Sequence, residues 1–192
     1  ANIHIQTSYE VPQQVDVEAT TGAGHISSSQ VSGYQKYETK GGHIKLEEIK
    51  GEVKALTSGG HISVFEASGQ LELRSKGGHI RAEETQGELH IQTSGGNLEA
   101  EHLKGAIQAT TNAGNIDLRI KQFNESVRAE TSAGTITIWV PAQTSANLQL
   151  FANSVEIDDK LKFEGEKTSS GLTGTIGGGG PVIRAKTSYG NI

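Results

Sequence analysis

The 192-residue sequence contains no cysteine and no methionine, three prolines and one tryptophan, and only 5% of it is aromatic. Without cysteine there is no disulfide framework, no thiol nucleophile and no Cys-type zinc site. No segment approaches the ~18 consecutive apolar residues needed to cross a bilayer as a helix. No apolar stretch flanked by Lys or Arg opens the chain, so no signal peptide is present in it. Basic residues are outnumbered 17 to 22, for a net charge of −5, and are scattered singly. A face able to neutralise phosphates is therefore missing, and nucleic acid is excluded as a partner. A chain that begins at Ala1 and lacks Met is what a secreted or envelope protein looks like once a leader has been removed, so an extracellular or cell-surface location is expected.

Apolar residues make up 33% of the chain and glycine contributes 25 residues, nearly twice its usual ~7% share. Ile and Val together number 27 against 12 Leu, a bias toward strands. The composition points to an all-β protein with a thin, repetitive core rather than a thick one.

The repetition is explicit. His25, His43, His61, His79, Asn97 and Asn115 follow one another at intervals of 18 residues, each after a Gly and before Ile or Leu. After a two-residue insertion the phase resumes at Ala133-Gly134-Thr135-Ile136, and a late copy stands at Tyr189-Gly190-Asn191-Ile192. Within a unit, inward candidates alternate with polar residues, the period-2 pattern of half-buried strands. They recur as Ile62/Ile80/Leu98/Ile116, Leu71/Leu89/Ile107 and Leu73/Ile91/Ala109, with Thr57/Ser75/Thr93/Thr111 at the strand end. A second glycine column, Gly33, Gly51, Gly69, Gly87 and Gly105, marks a corner between the two strands.

An 18-residue unit with two corners cannot bury its apolar face alone, but stacked coils can. The expected fold is a parallel β-solenoid, a β-helix with coils about 4.8 Å apart. A left-handed hexapeptide helix would need apolar residues every six positions, and six beyond Ile62, Ile80 and Leu98 stand Ser68, Gln86 and Lys104. With that form excluded, the handedness rule for parallel connections favours a right-handed coil. Residues 1–192 are read as a single domain: regular coils over 1–140, enlarged irregular coils over 141–180, and a final incomplete coil over 181–192. If the whole chain coils, about ten turns give a rod on the order of 50 Å long.

The repeated Thr-Ser-Gly-Gly-x-Ile units, Val140-Pro141-Ala142 with Ser145-Ala146-Asn147-Leu148, the run Gly174-Thr175-Ile176-Gly177-Gly178-Gly179-Gly180-Pro181 and the ending Thr187-Ser188-Tyr189-Gly190-Asn191-Ile192 resemble the bacterial adhesin-type family of β-strand-repeat domains of unknown function. The resemblance implies a right-handed solenoid, often exported or membrane-tethered, with no established catalytic residues. In that family the closing strand usually runs on past the Asn-Ile.

Three sets of residues invite a chemical reading. His25, His43, His61 and His79 share one outward register, where stacked imidazoles could pinch Zn²⁺ or Cu²⁺ between coils or form a pH-sensitive surface. The pattern favours plain ring stacking, because the column continues as Asn97 and Asn115, which are poor zinc ligands. No metal and no cofactor is assigned. Glu47, Glu48, Glu66, Glu83, Glu84 and Glu101 form an acidic ridge that reads as a solvated surface, since no calcium-loop spacing is present. Nothing breaks the repeat to single out a carboxylate pair, so no enzyme is expected. Tyr34, Phe65 and Trp139 fall on outward positions where they could stack on a sugar or a partner, although Trp139 could instead plug the end of the regular coils.

The expectation for function is a non-catalytic structural or adhesive module, with a ligand-binding module (metal at the His column, glycan at the aromatics) as the alternative. A surface glycan or another envelope protein is a candidate partner. Neither end of the sequence carries a capping helix, and exposed strand edges invite pairing. End-to-end association of the chain with itself is therefore expected, through Asn2, Ile3 and Ile5 at one end and Thr187, Tyr189, Asn191 and Ile192 at the other.

Overall fold

The computed structural model describes residues 14–192, and helices are absent among them. In chain order the strands are β1 (Val17–Thr21), β2 (Ile26–Ser29), β3 (Ser32–Thr39), β4 (Ile44–Thr57), β5 (Ile62–Ser75), β6 (Ile80–Thr93), β7 (Leu98–Lys104), β8 (Ile107–Ala113), β9 (Ile116–Gln122), β10 (Val127–Ala133), β11 (Ile136–Trp139), β12 (Ala146–Phe151), β13 (Phe163–Thr168), β14 (Gly171–Ile176) and β15 (Val182–Tyr189). β4, β5 and β6 each run through a corner and serve both walls of the coil.

The 18-residue sequence step is the pairing register. Ile44 pairs with Ile62 and Ile62 with Ile80, while Val53 pairs with Leu71 and Leu71 with Leu89, all in parallel. The two-residue insertion lies in the loop between β9 and β10, after which Ile116 pairs with Ile136 and Ile107 with Val127. The inward columns are fully buried, with Ile62, Ile80, Leu98 and Ile116 each 1% exposed. The result is a parallel β-solenoid of about 7 turns.

In the coil of β2 and β3, Gln35 and Tyr37 occupy inward positions that the neighbouring coils give to Val17 and Val53 and to Ala19 and Ala55. Their polar atoms are satisfied locally. Tyr37 Oη donates to Gln35 Oε1 (2.9 Å) and lies 2.7 Å from the Ser28 hydroxyl, and Gln35 Nε2 donates to the carbonyls of Val31 and Lys50. Burial pushes the Tyr37 phenol above its ordinary pKa.

Residues 141–180, expected to form enlarged coils, do something else, and the count of ten turns falls with them. β12 pairs antiparallel with β14, and β14 antiparallel with β13. The two-residue connection Ser169-Ser170 between β13 and β14 dictates that direction, because a parallel partner needs a crossover of a dozen or more residues. The chain then returns beneath this excursion: β15 pairs in parallel with β10 on one side and β12 on the other. Its inward residues Ile183, Ala185 and Thr187 repeat Val127, Ala129 and Thr131, so β10 is the strand it matches. The outermost strand of this end, β13, exposes Glu164, Glu166 and Lys167, which discourages further edge pairing there.

Coil spacing depends on the second glycine of each Gly-Gly corner. A Cβ added to Gly60 would run into the carbonyl oxygen of Gly42, and one added to Gly78 into that of Gly60. The first glycine has room, since a Cβ on Gly59 meets nothing nearer than the Lys40 carbonyl at 3.8 Å. Gly60→Ala should therefore lower stability by about 1–3 kcal/mol or more, as overpacking does. Gly59→Ala should change it by less than about 1 kcal/mol. Urea-denaturation midpoints of the two variants check the difference, and equal losses would contradict this packing.

Candidate functional site

The His column is held by the backbone. His43 N–H donates to His25 Nδ1 (2.9 Å), His61 N–H to His43 Nδ1 (2.8 Å), His79 N–H to His61 Nδ1 (2.8 Å) and Asn97 N–H to His79 Nδ1 (2.8 Å). The Asn residues continue the same bond: Asn115 N–H donates to Asn97 Oδ1 and Thr135 N–H to Asn115 Oδ1, both at 2.9 Å. Asn can replace His in this column because each carries an acceptor at the same reach from its backbone. The rings lie parallel, 4.8 to 5.0 Å between centroids and within 12° of coplanar orientation.

This geometry does not suit a pinched metal. Nδ1 is already an acceptor, which assigns the proton of each neutral ring to Nε2. Parallel rings aim their Nε2 atoms the same way, whereas a shared zinc needs two nitrogens converging at about 2.0–2.1 Å. The column is a set of inter-coil fasteners.

A second set of fasteners runs inside. Thr57 Oγ1 donates to the Gly42 carbonyl (3.0 Å) and accepts from Gly60 N–H (3.1 Å). Ser75 repeats this with Gly60 and Gly78, and Thr93 with Gly78 and Gly96. Thr187 Oγ1 makes the same donation to Gly134, which ties the last strand into the stack.

The acidic ridge is a mixed-charge surface. Glu47 pairs with Lys45, Glu83 with Arg81, Glu101 with Arg119 and Glu84 with Lys121. Such exposed pairs contribute ~0–1 kcal/mol each. The corner beneath them is built on left-handed backbone at Gln30, Glu48, Glu66, Glu84 and His102, with φ between 52° and 58°. His102 escaped attention in the sequence. It stands where Glu48, Glu66 and Glu84 stand in the repeat, and that shared phase is the signal that marks it. Together with Glu83 and Glu101 it forms a cluster whose ligand atoms lie within 4.8 Å of one another. Arg119 and the Glu84 carboxylate already engage two of its members, the latter at 3.3 Å from His102 Nδ1.

The aromatics do not make a platform. Phe65 and Trp139 share one column but stand four coils apart, with Glu83, Glu101 and Arg119 between them. Tyr34 sits on the other wall under Lys54, 5.5 Å from its ring centroid. Trp139 does not plug the coil. It is 56% exposed, with Arg119 5.7 Å from its ring.

A cleft of about 700 Å³ with an apolar lining lies beside β11, and Trp139 flanks it. Ile138, Val140, Ile157 and Leu161 line it, with Leu148, Ile176 and Ile183 deeper in its wall. Its volume falls in the ~300–1,000 Å³ range of ligand sites.

The predicted self-assembly residues are placed as follows. Asn2, Ile3 and Ile5 lie outside the described residues. Thr187 is buried and Tyr189 is 77% exposed. The C-terminal strand does not form the open edge expected of it, because β15 is paired on both sides. Asn191 and Ile192 are also bonded within the chain: Ile136 N–H donates to Asn191 O and Ile192 N–H to Ser154 O. The excursion of 141–180 is what covers them.

The model of the family described as Toastrack DUF4097 matches residues 2–192. The chain belongs to the Toastrack family. The adhesin-type β-repeat resemblance noted in the sequence is this membership, and the Toastrack domain is one of unknown function. No curated protein and no solved structure matches the chain.

Burial, reinforced by the charges of His43 and His79, holds the His61 imidazole below its ordinary value of 6.5. The fold thus prefers neutral His61, and the unfolded chain takes up a proton first as the pH falls. Stability should be fully present above about pH 6.5 and decline as pH drops below it, levelling once the folded-state pKa is passed. His61→Asn keeps an acceptor for His79 N–H, so it should hold the neutral-pH melting temperature and weaken its decline toward pH 5. His61→Ala should lose about 1 kcal/mol at neutral pH. Melting curves from pH 5 to 8 check both, and a His61→Asn profile as steep as that of the parent would contradict the assignment.

Proposed function

We propose that this Toastrack domain is a non-catalytic structural or adhesive module of the cell surface or envelope, a stiff solenoid that offers a repeated surface and an apolar cleft at one end. The observation that carries this reading is where the polar side chains of the repeat point their atoms. The His, Asn, Thr and Ser columns hold residue types that catalysis would draw on, yet they bond coil to coil. The glutamates beside them face Lys and Arg across an exposed surface. Such a surface suits multivalent contact with a polymer or a partner more than a single turnover site.

Binding at the cleft is the second reading, favoured by its apolar lining. It is compatible with the first, and it displaces a metal role for the His column, whose nitrogens do not converge.

Incubation with purified envelope fragments, followed by centrifugation and assay of the supernatant, tests the proposal. The protein should sediment with the fragments and release no reducing ends or soluble pieces. Release that disappears in Glu83→Gln or Glu101→Gln would contradict a non-catalytic role and single out the carboxylate cluster.

A further inference from the structure

A second cavity, of about 590 Å³ and open to solvent, shares no lining residue with the cleft beside β11. Its walls come from 121–124, from 141 with 143–145, and from 179–181. Each of these segments departs from the 18-residue pattern. Lys104 pairs with Gln122 and Ile107 with Val127, so the corner Gly105-Ala106 of one coil becomes the longer loop Phe123-Asn124-Glu125-Ser126 in the next. Pro141 stands where the chain leaves the coils after β11, and Gly179-Gly180-Pro181 leads back into them at β15. In repeat proteins, insertions that break the phase gather on one face, commonly the one that binds.

The polar groups of this cavity are the ones that the fold leaves over. Thr144 is 8% exposed, and its hydroxyl is the one buried side-chain polar atom without a hydrogen-bond partner among the described residues. Burying such a group unmet is costly, which favours a partner from outside the chain. The Gly180 N–H and the side-chain amides of Gln122, Asn124 and Gln143 also lack a partner among the described residues. The groups behind them are all engaged. Ser145 Oγ donates to the Gly177 carbonyl (2.7 Å), Asn147 Nδ2 to the Gly180 carbonyl (2.6 Å) and Gly179 N–H to Ile176 O (3.1 Å). These bonds fix the glycine run against the start of β12, so this wall is in place before a ligand arrives.

Phe123, Pro141 and Pro181 give the cavity apolar surface, and no carboxylate lines it among the described residues. Its one charged side chain, Lys121, lies 3.6 Å from the Glu84 carboxylate and is neutralised there. An anion would need donors alone, preferably charged ones. The amides and the Thr144 hydroxyl both donate and accept, as the hydroxyls of a sugar do. The apolar residues beside them can take the C–H face of its ring, and the volume falls within the range of small-molecule sites. We propose that this cavity binds a neutral pyranose, one unit of a glycan. The proposal rests on the reading of the domain as a surface module for the source of that sugar, and it places the ligand away from Tyr34, Phe65 and Trp139.

The methyl glycosides of glucose, mannose, galactose and N-acetylglucosamine, each added at millimolar concentration to the ¹⁵N-labelled chain, test the site by NMR. At least one should shift the Gly180 backbone amide and the side-chain amides of Asn124 and Gln143 while leaving the His column unmoved. Thr144→Val exchanges an unbonded hydroxyl for a methyl group of like shape, so it should keep the melting temperature of the parent and weaken glycoside binding about five-fold. Asn124→Ala, at an exposed position, should weaken it by a similar factor without touching the core. No shift from any of the four glycosides, or shifts produced by sodium sulfate alone, would overturn the proposal. So would binding unchanged in both variants, the result expected if an ordered water merely occupies the place, or a clear drop in the melting temperature of Thr144→Val, which would mean that the hydroxyl is bonded within the chain. Glycoside binding without sedimentation on envelope fragments would keep this site and count against the surface module. Sedimentation without glycoside binding would do the reverse.

Discussion

Everything in this solenoid rests on how closely one coil can lie on the next. Strand pairing requires neighbouring backbones at about 4.8 Å, and at the Gly-Gly corner the backbone of one coil lies directly against the carbonyl of the coil before. Glycine is the residue that leaves this space free. Once it does, the Thr or Ser hydroxyl can span the same corner, donating to one glycine carbonyl and accepting from the next glycine N–H. The inward Ile and Leu columns then meet like with like and are shielded on both sides. A side chain at the corner would part the coils and weaken the hydroxyl bonds and the apolar columns together.

The same constraint explains the surface. At a spacing of one strand, outward side chains of equal length fall into columns, and each column must reconcile its members. The imidazoles do so by lying parallel and accepting a backbone N–H. Several of the glutamates do so through Lys or Arg beside them, as Glu47 with Lys45 and Glu83 with Arg81. A residue type repeated down a solenoid is therefore no argument for chemistry until its polar atoms are shown to be free.

The regular coils were legible because a period of 18 identifies both the strands and their partners: the residue opposite Leu71 is found by adding one period. That logic ends at Trp139. Alternation in Ala146-Asn147-Leu148-Gln149-Leu150 reveals a strand but carries no information on which strand lies beside it or in which direction. Alternation thus makes residues 141–180 look like coils, whereas the short Ser169-Ser170 connection makes β13 and β14 a hairpin that pairs with β12, the strand that covers β15. The place of β15 could have been read, since Ile183, Ala185 and Thr187 match Val127, Ala129 and Thr131. Its burial could not, because the covering strand β12 precedes it in sequence. The His column was placed correctly in register. Its bonding pattern was hidden, because the Nδ1 acceptor role appears only when the next coil's N–H is in position.

The stacking of coils in that register is most directly tested by scalar coupling across the hydrogen bonds of the His column in uniformly ¹⁵N-labelled protein. The account predicts measurable ¹⁵N–¹⁵N couplings from the backbone nitrogens of His43, His61, His79 and Asn97 to Nδ1 of the histidine one coil earlier. Couplings absent at neutral pH, or neutral imidazoles with the proton on Nδ1, would contradict it.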